Sequence, residues 1–161
     1  MGSVGMPSAP RILRAGDDLS GFSCGEPEID AWVSSRASGA RKAGTAVVYA
    51  AFDGTTAAGF YTLSASSIER ASVAGGWLRR NVPERIPIIL LGMLGVDSRY
   101  QGKGIGRSLV IDALRRSETV SGVIGARALV VEPLRPELAA FYLERGFEAL
   151  PGVPRALFAR L

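Results

Sequence analysis

The segment Gln101-Gly102-Lys103-Gly104-Ile105-Gly106 has the make-up of an anion-binding loop. Before it, Ile88–Val96 is a continuous apolar run that reads as a strand buried on both faces. After it, Ile105, Leu109, Val110, Ala113 and Leu114 recur at the spacing of one helical face. A strand, a glycine loop and a helix start leave unpaired N–H groups pointing out of the helix, at the positive end of its dipole. Glycines let the backbone take positive φ and come close to a phosphate. Arg99, Lys103 and Arg107 add full charges around the same loop. Neither common nucleotide loop fits: G-x-x-x-x-G-K-[ST] is absent, and glycines spaced by two do not make G-x-G-x-x-G. Tyr142 is the second residue with chemical reach, because a phenol of pKa about 10 stays protonated at neutral pH and can donate to a leaving group. It also shares helical spacing with Leu138, Phe141 and Arg145, and spacing alone does not separate an acid from a core tyrosine.

Two features of the composition narrow the chemistry. The chain has no histidine, which removes histidine triads, histidine metal sites and a histidine general base. It has one cysteine, Cys24, so no internal disulfide and no cysteine metal cluster; a small buried side chain is its expected role. No metal site is expected. With 161 residues, 47% hydrophobic and 21% charged, the chain is large enough for a core and lies in the globular range. Its longest apolar run, Ile86–Val96, is shorter than the roughly 20 residues a membrane helix needs. The first ten residues, MGSVGMPSAP, lack the layout of a signal peptide, so a cytoplasmic location is expected. Net charge is +4, with arginine far outnumbering lysine, and a basic surface attracts polyanions.

The elements that must position these residues follow from the rest of the chain. Residues 1–10 read as a loose tail, and 11–161 as a single domain. Arg11–Arg14 reads as a short edge strand. Pro27 suits the first turn of a helix with Ile29, Trp32 and Val33 on its apolar face, and Arg36, Arg41 and Lys42 belong to a second short helix. Thr45–Phe52 and Ala57–Ala65 read as a hairpin turning at Asp53-Gly54. Ser66–Arg85 reads as a long irregular loop, and such loops are often functional. Arg127–Val131 is another strand. A helix is expected over Glu137–Arg145, stopped by Gly146, with strands at Phe147–Leu150 and Ala156–Arg160. The order is β-α-α-β-β-β-α-β-α-β-β.

Read from Gln101 to Gly106, the loop has the spacing [QR]-x-x-G-x-[GA], and here the chain resembles the GNAT acetyltransferases. GFSCGEPEIDAWV, LRRNVPERIPIILLGMLGVDSRYQGKGIGRSLVIDALRR, GARALVVEPL and AAFYLERGF are similar to the GNAT toxins of type II toxin–antitoxin modules, the TacT-type group. The resemblance implies an α/β GNAT fold, a mixed sheet of about six to seven strands flanked by about four helices. It implies acetyl-CoA as cofactor, held by Leu94, Gly95, Val96, Gln101, Gly102, Lys103, Gly104, Ile105, Gly106 and Arg107. In such a site Gly95 would permit close approach of the pantetheine arm, and Tyr142 would be the catalytic acid. The implied substrate is aminoacyl-tRNA, acetylated on its α-amine so that translation stops. Arg36, Arg41, Lys42, Arg79, Arg80 and Arg85 are the expected phosphate contacts. A ribbon–helix–helix antitoxin is the implied partner, and a homodimer is compatible. Val131-Glu132 stands where histidine or aspartate is frequent in the family, a difference that bears on aminoacyl specificity.

The missing histidine suits an α-amine acceptor. A free α-amine has a pKa of about 7.7–8.0, and esterification lowers it, whereas a lysine amine near 10.4 needs a stronger base. A water relay to Glu69, Glu132 or a backbone carbonyl could remove the last proton. Two other readings compete: a GNAT enzyme acting on a small amine or a protein N-terminus, and a CoA- or RNA-binding module without catalysis.

Overall fold

The structure, a computed structural model, describes residues 5–161. Seven strands form one mixed sheet in the order β1-β2-β3-β4-β5-β7-β6. They are β1 (Arg11–Ile12), β2 (Val47–Asp53), β3 (Thr56–Glu69), β4 (Arg85–Val96), β5 (Ala128–Val131), β6 (Glu148–Ala149) and β7 (Leu157–Arg160). The helices are α1 (Pro27–Ser35), α2 (Ala37–Ala43), α3 (Ile105–Ser121) and α4 (Ala139–Leu143). The expected element order and fold class therefore hold. β4 and β5 run parallel, which requires a crossover between them, and α3 supplies it.

Residues group into two compact units, one reaching Leu63 and including Met93–Asp112, the other made of Ser64–Gly92 and Ala113–Leu161. In the first, Val48, Ala50, Phe60 and Tyr61 are fully buried. Phe22 meets the Phe60 ring edge-on at 5.2 Å and Trp32 stacks on it at 6.1 Å, so α1 is anchored through aromatic contacts. Arg11 pairs with Asp17 at 2.8 Å and lies over the Phe52 ring. Of the expected tail, Met1–Val4 lie outside the described residues. Ser8 is tied to β2, its N–H donating to the Phe52 carbonyl and its hydroxyl accepting from the Phe52 N–H.

In the second unit, Val73, Leu78, Ile86, Ile88, Ala128, Val130, Leu150, Ala156 and Phe158 form one apolar cluster. Three expectations are corrected here. Ser66–Arg85 is not loop throughout, because β3 runs on to Glu69 and a 3-10 turn forms at Trp77–Arg79. Ser-Ala-Ser-Ser has weak β propensity, so the neighbouring strand β4 keeps this segment extended. The helix expected over Glu137–Arg145 is shorter: a 3-10 turn at Pro136–Leu138 precedes α4, α4 ends at Leu143 with Glu144 as its cap, and Gly146, at φ 94°, turns the chain three residues on. Finally, β4 is not buried on both faces along its length. Ile88, Ile89 and Leu91 are buried, but Gly92 is exposed and Met93, Leu94 and Val96 are half-buried. The pairing with β5 explains this, since it ends at Leu91 opposite Val131 while β4 continues to Val96.

Candidate active site

The glycine loop is held from below by an aspartate. Asp97 directly follows β4 and is 2% exposed. Its carboxylate accepts from the Ser23 N–H at 3.2 Å, the Arg99 N–H at 3.0 Å and the Arg99 guanidinium at 2.9 and 3.2 Å. Burial on its own would raise the pKa, yet the donors from Arg99 and Ser23 outweigh it and hold the carboxyl below its ordinary value. Asp97 thus shapes the 3-10 turn Ser98–Tyr100, and Tyr100 is buried with its hydroxyl donating to Asp53 at 2.7 Å.

Gln101 turns its side chain onto backbone carbonyls. Its amide donates to the carbonyls of Cys24 and Val96, both at 2.9 Å, and so closes the loop onto the Phe22–Glu26 segment. Gly102 and Gly104 have φ of 78° and 81°, a region costly for other residues. The Gly104 carbonyl accepts from the Ser108 N–H at 3.1 Å, which makes Gly104 the residue capping α3. The N–H groups of the first helical turn therefore have no intrahelical partner and face outward. Lys103 and Arg107 are exposed beside them, while Ile105 is buried and anchors the turn.

α3 approaches the sheet closely at Gly59. A Cβ there would lie 3.0 Å from Leu109 and 3.2 Å from both Ile105 and the Gly95 carbonyl. A Cβ at 95 would meet Phe22 and Ile29 at 3.2 Å and Cys24 at 3.4 Å, so packing under α1 is itself a reason for glycine here. The backbone edge at 94–96 is a separate matter. Thr62 accepts the Met93 N–H and the Ala58 carbonyl accepts the Asp97 N–H. Alternation along the strand then turns the N–H groups of Leu94 and Val96 to the opposite edge, the one β5 occupies only as far as Leu91. Cys24 is buried, which pushes its thiol up to about 11 and leaves it unreactive at neutral pH.

Tyr142 lies in the second unit, on α4, 7% exposed. Phe141 and Phe147 meet its ring edge-on at 5.1 and 5.5 Å. Burial pushes its phenol up to about 12, so it is a proton donor throughout the physiological range. In the same unit a cleft of about 310 Å³ opens beside the last paired residues of β4 and β5, with Glu132 in its wall. Glu69 is not part of that wall; it lies 3.6 Å from Arg85, both of them exposed.

The expected phosphate contacts fall into two groups. In the first unit Arg36 and Lys42 are exposed and Arg41 is half-buried, all at the ends of α2. In the second, Arg79, Arg80 and Arg85 are exposed. Arg79 and Arg80 sit on a fixed turn: Arg127 donates to the carbonyls of Trp77 at 2.8 Å and Arg80 at 3.3 Å, and stacks on Trp77 at 3.8 Å. Sequence reasoning missed Asp97, Gly59 and Arg127. Asp97 carried a signal, an aspartate two residues before an arginine at a strand end, which fits a cap.

A strand edge left open beyond its neighbour and a glycine loop capping a long helix are features suited to an acyl-CoA. The family model for the GNAT acetyltransferase domain matches residues 43–149, and the chain belongs to this family. It is 38% identical over 147 residues to a tRNA-acetylating toxin of Mycobacterium tuberculosis, covering 91% of this chain and 88% of that one. It is similar to the structure of AtaT complexed with acetyl-methionyl-tRNAfMet, with TM-score 0.85, 29% identity and coverage of 94% and 93%. A tyrosine-to-phenylalanine mutant of AtaT bound to acetyl-CoA and the C-terminus of the antitoxin AtaR aligns at TM-score 0.79, 29% identity and coverage of 94% and 91%.

Proposed function

We propose that this enzyme transfers the acetyl group of acetyl-CoA to the α-amino group of aminoacyl-tRNA and thereby blocks translation, because an acetylated α-amine cannot attack in peptide-bond formation. The observation that carries the proposal is an intact cofactor loop, Gln101–Gly106, in a chain that matches a tRNA-acetylating toxin over 91% of its length.

The residues present suit acetyl-CoA. The free N–H groups of the first α3 turn, the positive-φ backbone at Gly102 and Gly104, and the charges of Lys103 and Arg107 suit a pyrophosphate. The N–H groups of Leu94 and Val96 suit an extended arm laid along β4 as an added strand. Bound acetyl-CoA supplies an activated acetyl thioester. Asp97 and Gln101 keep the loop in shape for it. Tyr142 Oη holds a proton that burial prevents from leaving below about pH 12, ready to be shared with a leaving thiolate. Arg36, Arg41 and Lys42, with Arg79, Arg80 and Arg85, position tRNA phosphates without reading sequence.

A toxic enzyme in the cytoplasm needs a tight inhibitor. A ribbon–helix–helix antitoxin would cover the basic surface or the cofactor entrance, and a homodimer is compatible with the same reading. Among the described residues no helix is long and apolar enough to cross a membrane. The test is incubation with acetyl-CoA and total charged tRNA, followed by mass spectrometry of the released aminoacyl groups. N-acetylated aminoacyl adducts are expected. Acetylation of polyamines or peptide N-termini with charged tRNA untouched would favour the small-amine enzyme instead.

A further inference from the structure

We infer that the cleft beside the last paired residues of β4 and β5 receives the aminoacyl group and selects acceptors with an apolar side chain. This rests on the aminoacyl-tRNA reading above and adds the class of aminoacyl group.

Position is the first argument. The ladder between β4 and β5 ends at Leu91 and Val131, and the next residue in each segment lines the cleft: Gly92, still within β4, and Glu132, just past β5. The cleft therefore opens where the two strands part. A donor laid along the edge of β4 beyond Leu91 delivers its acyl group at that parting. Gly92 is exposed, so nothing of its own side chain screens the approach.

The lining is the second argument. Ile88, Val130 and Ala156 are buried and form an apolar floor, with half-buried Leu90 and Val153 beside it. Ser66 and Ser67 make a polar rim, and Glu132 is the ionisable group in the wall. An α-amine carries N–H donors and, when protonated, positive charge, and the Glu132 carboxylate is an acceptor for both. The same carboxylate repels an acidic side chain. Size is the third argument: about 310 Å³ is far more than glycine fills and lies at the small end of ligand pockets, roughly 300–1,000 Å³. Each methylene buried on the floor favours binding about fourfold.

The experiment uses one tRNA body charged in turn with methionine, valine, glycine and aspartate, and reads kcat/KM for acetylation. Methionyl and valyl acceptors should exceed glycyl by about 10- to 100-fold, from two to three methylene equivalents at about fourfold each. The aspartyl acceptor should be slowest. Ser67→Phe, on the exposed rim, fills the cleft and should move the preference toward glycine while the Kd for acetyl-CoA stays unchanged. Glu132→Gln should raise KM and narrow the gap between aspartyl and valyl acceptors. Calorimetry with amide-linked methionyl- and aspartyl-adenosine should give the same order without chemistry. Equal rates across the four acceptors, or a Ser67→Phe variant that slows all four by one factor, would overturn the assignment while leaving the tRNA reading intact. No acetylation of any charged tRNA would overturn both.

Discussion

Replacing Tyr142 with phenylalanine removes one hydroxyl and keeps the ring between Phe141 and Phe147. Burial is the cause of its raised pKa, and no charged neighbour contributes. The substitution therefore orphans no ionic partner, and stability at pH 7 should change by less than about 1 kcal/mol. Alkaline pH gives a separate signature. An unfolded tyrosine ionises near pH 10, the native one near 12. Between these values the unfolded chain binds fewer protons than the native one, so stability falls as pH rises. Two units at 1.36 kcal/mol each come to about 3 kcal/mol, present below pH 10 and lost by pH 12 in the parent but not the variant. Urea unfolding at a series of pH values measures this difference. Single-turnover acetylation on the same preparations measures catalysis, where kcat should fall by roughly 10²–10⁴, the range for a lost general acid. Acetyl-CoA affinity should not move. A variant that acetylates charged tRNA at the parental rate would refute the proton-donor role, and parallel stability curves from pH 9 to 12 would refute the burial on which it rests.

Gln101→Ala removes two hydrogen bonds that close the loop and should weaken acetyl-CoA binding by about 5- to 150-fold, at about 0.5–1.5 kcal/mol per bond, as read by calorimetry. Gly104→Glu places a side chain at φ 81° and a negative charge at an anion site, and should weaken acetyl-CoA binding more than Gln101→Ala does while the variant remains folded by circular dichroism. Replacing Arg79 and Arg80 with alanine should raise KM for charged tRNA and lower the slope of log KM against log salt by about 1–2, leaving acetyl-CoA affinity unchanged.

The glycine loop was readable because its chemistry is local: glycines at fixed spacing, an apolar strand before and an amphipathic helix after. The parting of β4 from β5 was not, because the run Ile88–Val96 is equally apolar on both sides of Leu91 and only a neighbouring strand decides where pairing stops. The same limit governs Gly59 and Gly95. A glycine in a strand signals close approach by something, but α3 on one and α1 on the other are facts of tertiary packing. Tyr142 showed the converse problem: its spacing fitted both core and catalysis, and the structure gives it the burial of a core residue together with the protonation an acid needs. The extension of β3 through Ser66–Glu69 ran against local propensity, so it was invisible until its neighbour was in place.

The hydrogen bonds from Gln101 to Cys24 and from Ser23 to Asp97 join residues 77 and 74 apart in the chain. The loop proposed to hold the cofactor is therefore finished by a segment near the start of the domain. During synthesis, residues 22–26 leave the ribosome long before the loop exists and must wait for it. A chain stopped before Gln101 lacks the loop, and one that has lost its first 26 residues lacks the clamp. Activity thus depends on folding that joins segments far apart in the chain. The coupling also works in reverse. A cofactor at 100 times its Kd adds about 2.7 kcal/mol to the folded state. Through these bonds that stabilisation reaches residues 22–26, which should open to proteases and exchange their amide hydrogens more slowly when the cofactor is bound than when it is not.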